Sequence, residues 1–221
     1  MMRPRTALLL SGLLAAATPV FAQDGIAERL RGRVPAEVVA AALRFAGQAQ
    51  AQGLPVEPLV QKALEGGAKG VPAPRIVAAL ETLTTRLEAA AVAARAAGIE
   101  NPDAATIDAG AFALGAGLGE RDVSRLVRAS RPPHAPGASL RVAGALAALG
   151  VPSAQTADLV VQVIEAGQPA AEVLSLPARV QAGIGRGLSP AEAAGQARGR
   201  GRQRPGGGPP GRSDRRSGKL T

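Results

Sequence analysis

The stretch "GLPVEPLVQKALEGGAKGVPAPRIVAAL", residues 53–80, carries the punctuation that organises this chain. Twice in it a glycine, an apolar residue and a proline stand in a row, at Gly53-Leu54-Pro55 and Gly70-Val71-Pro72. Proline suits the start of a helix, because the N–H it lacks would have no partner within the helix there. Glycine suits the position just past a helix end, where the backbone needs a positive φ. Each triplet therefore marks one helix ending and the next beginning.

The same mark recurs at Gly32 (GRVPAE), Gly150 (GVPSA), Gly167 (GQPAAE) and Gly187 (GLSPAE). Gly98 opens a variant, GIENPDA, which predicts Asn101 as an N-cap and Pro102 as the first helical residue. Ser189 and Glu192 flank Pro190 with the spacing of a capping box. Between the marks the apolar residues fall at helical intervals. Ile76, Leu80, Leu83 and Leu87 share one face of a helix predicted over about 72–97. Val38, Ala42, Phe45 and Ala49 form a second such face, Leu140, Ala143, Leu146 and Leu149 a third, and Ala157, Val160, Val161 and Ile164 a fourth. Gly66 and Gly67 are expected to end a helix near Glu65, Pro177 to break or kink the helix that starts near 169, and residues 130–137 (SRPPHAPG) to form a loop.

Composition agrees. Between residues 23 and 197 the only aromatic side chains are Phe45 and Phe112, and Ala, Leu and Val dominate. Strands favour β-branched and aromatic residues, and no alternating run of strand length occurs. The chain is predicted to be all-α, an irregular array or bundle of about eight short helices. Helix starts lie 17 and 28 residues apart after Gly53 and 17 and 20 apart after Gly150. Short helices followed by longer ones are compatible with helical-hairpin repeats, although no named repeat signature matches.

The ends differ from the body. Residues 1–22 read as a secretory signal peptide: Arg3 and Arg5, an apolar run from Thr6 to Ala17, then Val20-Phe21-Ala22 with small residues where a signal peptidase cuts. The mature chain is then expected to start at Gln23, outside the cytoplasm, periplasmic or extracellular, with no transmembrane segment left. Residues 198–221 are dense in Arg, Gly and Pro, with Leu220 as the one apolar side chain, and read as a disordered tail. The body, residues 23–197, is expected to be one helical domain.

Charge divides along the same boundaries. The net +9 is +2 in the signal and +7 in the tail, while residues 23–197 balance at zero. The high isoelectric point therefore gives no reason to expect a nucleic-acid-binding domain. The chain has no cysteine, which excludes disulfides, thiolate catalysis and thiolate metal sites.

The block from Gly53 to Ala97, carried by the stretch quoted above, resembles one found in exported bacterial proteins of unknown function. The resemblance implies an envelope location and nothing chemical.

No catalytic pattern emerges. His134, the one histidine, lies between prolines and is expected to be a solvated loop residue, with no orienting carboxylate or nucleophile nearby in sequence. "GGAKG", 66–70, fails the phosphate-loop pattern, since Lys69 is followed by Gly70. Lys69 and Arg75 bracket a helix start and offer a candidate anion contact; the spacings Lys62–Glu65 and Glu65–Lys69 equally suit a solvated ion-pair ladder. Asn101, Asp103 and Asp108 do not make a calcium loop. No metal or cofactor is expected.

In the tail, Arg198, Arg200, Arg202 and Arg204 are candidate contacts for an anionic surface, a lipid headgroup or a phosphorylated glycan. The tail has no aromatic to stack on bases, which weighs against specific nucleic-acid binding. A merely solubilising end is the alternative. The expectation is thus a non-enzymatic interaction or structural protein of the bacterial envelope with a protein partner. The alternatives are an envelope hydrolase or small-ligand carrier with a site between helices, and polyanion binding through the tail.

Overall fold

The computed structural model describes residues 20–200. The expected signal peptide falls outside the described residues up to position 19, and the expected tail from 201 on. Every regular element among the described residues is an α-helix, ten in all: α1 (Val20–Leu30), α2 (Ala36–Ala51), α3 (Glu57–Ala68), α4 (Ala73–Ala96), α5 (Ala104–Gly115), α6 (Glu120–Ala129), α7 (Pro136–Ala148), α8 (Ser153–Glu165), α9 (Ala170–Ile184) and α10 (Pro190–Arg200). No helix among them is long and apolar enough to cross a membrane.

The glycine punctuation has a direct backbone correlate. Gly32, Gly53, Gly70, Gly98, Gly150, Gly167 and Gly187 all have positive φ, from 62° at Gly70 to 99° at Gly98, and no other residue type does so among the described residues. Pro190 is the first residue of α10, as expected, whereas Pro55 lies two places before α3 and four other prolines sit one place earlier than expected. Pro35, Pro72, Pro152 and Pro169 are N-caps, with extended ψ, rather than first-turn residues. An eighth positive-φ glycine, Gly117, accounts for a helix boundary that the triplets do not announce. There Gly117-Leu118-Gly119 repeats the pattern with a glycine where the proline would stand, and splits α5 from α6.

Several local expectations are corrected. The N-cap of α5 is Asp103, whose Oδ1 accepts from the Thr106 N–H at 2.7 Å, and not Asn101. A carboxylate two residues later fits better, because Pro102 then precedes the cap instead of occupying the first turn. The Gly66–Gly67 pair does not end α3, which runs on to Ala68. It lets α3 pack closely. A Cβ on Gly67 would lie 2.5 Å from the Arg33 carbonyl oxygen, and one on Gly66 2.7 Å from Ile76 Cγ1. Pro177 lies inside α9 without ending it. Nearby, the Glu172 carbonyl accepts from Ser175 Oγ and from Arg179 Nη2, both at 2.9 Å. The carbonyl that Pro177 leaves without its helical N–H is the next one, that of Val173. The capping box holds: Ser189 N–H and Oγ donate to Glu192 Oε2 at 2.9 and 2.7 Å, and the Glu192 N–H donates back to Ser189 Oγ at 3.3 Å. α10 continues past Ala197 to Arg200, into the stretch expected to be tail.

All close packing is between helices one or two apart in chain order. Even-numbered helices form one file, from α2 through α4, α6 and α8 to α10. Odd-numbered helices form a second file, in which α1 packs on α3 and α5 on α7 on α9. The second file has a gap, because α3 and α5 are not closely packed with each other. The core runs between the files. Its first part holds Leu30, Val38, Phe45, Leu59, Leu80, Leu87 and Ile107, its second Leu126, Leu140, Leu146, Leu159 and Leu176. The two meet at α4 and α5, with Leu114 touching both. Small side chains bring the helices together. A Cβ on Gly110 of α5 would lie 2.8 Å from Ala90 Cβ of α4, and one on Gly183 of α9 2.7 Å from Ala193 Cβ of α10. Ser124 of α6 spans to α4, donating its hydroxyl to the Ala93 carbonyl at 2.8 Å.

Candidate binding cleft

The gap between α3 and α5 is a cleft of about 660 Å³. α4 passes beneath it and contributes Leu83, which the sequence places on the core face but which is only half-buried. Pro55 and Pro58 form the α3 side, Ala104 and Ala105 the α5 side, and Phe112 the far end. Phe112 is 39% exposed, one of three large hydrophobics so exposed among the described residues.

Charged groups rim this apolar floor, and each has a partner. Glu57 takes a two-pronged contact from Arg29, Nη1 to Oε2 at 2.7 Å and Nη2 to Oε1 at 2.6 Å, and a further hydrogen bond from Gln61 at 2.7 Å. The Arg29 hydrogen bonds, then that of Gln61, hold its carboxyl down at about 2, against an ordinary value of 4.5. Glu65 accepts from Lys69 at 2.5 Å and Lys62 at 3.1 Å, which lowers its pKa as well. Arg141 of α7 pairs with Asp108 at 2.5 Å while its guanidinium carbon lies 5.3 Å from the Phe112 ring centre. Planar Arg can do both at once, since its edge meets the carboxylate and its face the ring.

The carboxylates that are scattered in sequence do converge here, but as ion pairs. A general acid at neutral pH needs a raised pKa; the shifted carboxyls of this rim move the other way. Among the described residues no group of three or more potential ligands is placed to hold a metal ion.

Lys69 and Arg75 do come together, lining a smaller hollow of about 230 Å³ with Lys62 and Glu65. Both lysines there are engaged by Glu65, so the ion-pair ladder is present at the same place as the candidate anion contact. Arg198 is exposed on α10 and Arg200 is its last residue; Arg202 and Arg204 lie outside the described residues. His134 is not a solvated loop residue. It is 7% exposed, because the 130–135 loop folds its ring inward and leaves Pro132 and Pro133 outside.

The cleft was not legible as a site. Glu57 and Arg29 are 28 residues apart, and Asp108 and Arg141 are 33 apart. The one local signal is Phe112, a lone aromatic in an alanine-rich helix. No family model matches the chain, and no match to it was found among the curated proteins or the solved structures.

Proposed function

We propose that this is an exported, non-enzymatic interaction protein of the bacterial envelope, and that the α3–α5 cleft receives an apolar-sided segment of a partner protein. One observation carries the reading: every charged side chain on the rim is already paired within the protein, while the floor of Leu83, Pro55, Pro58 and Phe112 is left open. Apolar surface of this kind is what a partner's side chains fill. The spent rim charges would set register more than affinity. Packing restricted to nearest and next-nearest helices supports reading the array as irregular helical hairpins, which use such gaps as binding surfaces. The leader-like residues 1–22 and the resemblance of 53–97 are what support export.

The test is site-specific photo-crosslinking in envelope extracts, with the reactive residue placed at Ala105 in the cleft or at exposed Val92 on α4. The reading expects a discrete adduct from position 105, none from 92, and its loss in the Leu83→Glu variant with the helical circular-dichroism spectrum retained. Equal labelling at both positions would sink it. Arginine-tail binding to an anionic surface, the competing reading, predicts instead an adduct that survives Leu83→Glu and fades with salt.

A further inference from the structure

A second cavity, of about 580 Å³, lies between the end of α6 with its following loop and the end of α8 with the turn into α9. Its electrostatics are the reverse of the cleft's. Arg128 and Arg131 stand on one lip and Glu165 on the other. None of the three is in an ion pair among the described residues, although six other pairs form there. Opposite charges thus face one cavity without meeting across it.

His134 adds a second, independent observation. It is nine-tenths buried and lines this cavity. Among the described residues its only hydrogen bond is from its backbone N–H to the Arg131 carbonyl, at 2.7 Å, so the imidazole has no partner. Its ring nitrogens are not sealed off, since the one fully buried side-chain polar atom without a partner among the described residues is Arg179 Nε; the imidazole therefore keeps polar surface open to a ligand. The Glu165 lip is also the carboxyl end of α8, where the helix dipole favours a cation. Between the lips the walls are apolar, from Ile164, Pro132, Pro133 and Pro169.

We propose that this cavity binds a small zwitterion, a free amino acid or a dipeptide with an apolar side chain. Its carboxylate would be held by Arg128, Arg131 and His134, its ammonium by Glu165 and the α8 end, and its side chain by Ile164 and the prolines. A simple anion would leave Glu165 opposed to it, and a simple cation would face two arginines; only a ligand carrying both charges matches both lips. The site is separate from the α3–α5 cleft and does not depend on it.

Isothermal titration of the full chain tests this, using L-leucine, alanyl-leucine, its N-acetyl and C-terminal amide derivatives, and inorganic phosphate. Binding of leucine, alanyl-leucine or both is expected, and which of them binds separates the amino-acid source from the peptide one. Each cap is expected to weaken binding of the parent zwitterion at least tenfold, leucine being capped in the same two ways if it alone binds. In Glu165→Gln the acetyl cap should cost several-fold less than in the parent; in Arg131→Gln the amide cap should cost several-fold less, since Arg128 and His134 remain. Both side chains are exposed, so unchanged thermal melts are expected to accompany these losses. The proposal is overturned if neither uncapped ligand binds, if the caps have no effect, or if phosphate binds as tightly as the zwitterion.

Discussion

Gly144 of α7 sits against the Phe112 ring of α5, so close that a Cβ at 144 would lie 2.5 Å from Cδ1 and 2.6 Å from Cε1. The missing side chain is what allows the ring to lie on α7, under Arg141, at the end of the cleft. Gly144→Ala should therefore push the ring away and lower stability by about 1–3 kcal/mol, the usual cost of overpacking. Denaturant unfolding checks this. Combining it with Phe112→Leu should recover part of the loss, because the two changes share one contact.

Asp103, not Asn101, caps α5. Removing the capping oxygen in Asp103→Ala should cost about 1 kcal/mol. Asn101→Ala, at an exposed position outside the helix, should stay within about 0.5 kcal/mol of the parent. Equal costs at both positions would contradict the cap assignment.

The Arg29–Glu57 pair links α1 to the start of α3 and sets a pH window. With the Glu57 carboxyl held at about 2 against an ordinary 4.5, the charged form is favoured by folding. Its contribution is fully present above about pH 4.5 and is lost as pH falls towards 2. Thermal melts between pH 6 and 2 should lose stability across that interval, with a shallower loss in Arg29→Gln. Both side chains are half exposed, so high salt should shrink the difference between the two proteins.

Pro177 interrupts no helix but denies α9 one backbone hydrogen bond. Pro177→Ala should restore it and raise stability, on the order of 1 kcal/mol once the greater freedom of the unfolded chain is set against it. A raised melting temperature is the expected result; a lowered one would mean that the ring's packing outweighs the missing bond.

Much of the architecture is readable in one dimension because it rests on local physics. A glycine that must adopt positive φ and a proline that cannot donate an N–H act within a residue or two of themselves. The predicted glycine positions therefore coincide with the observed helix ends, and the predicted span of the long fourth helix is nearly that of α4. Where the local signal was ambiguous, neighbours decided. Gly66 and Gly67 read as a stop, yet they answer to Ile76 and to the Arg33 carbonyl across a helix interface. Pro177 reads as a break or a kink, and α9 runs on through it without a break. Gly117-Leu118-Gly119 lacks the proline that makes the other turns visible, so the count of helices falls short.

The sites belong to the other category. By itself the sequence determined an all-helical chain, where most of its helices begin, and a body without net charge, because helix propensity, capping and charge counting need only neighbouring residues. Tertiary structure alone decided that α3 and α5 stand apart over Leu83, that Arg29 and Arg141 neutralise the rim of that gap, and that His134 turns inward beside arginines left without partners. Those are relations between side chains tens of residues apart, and their distance in space is set by how thin alanine and glycine faces let the helices pack.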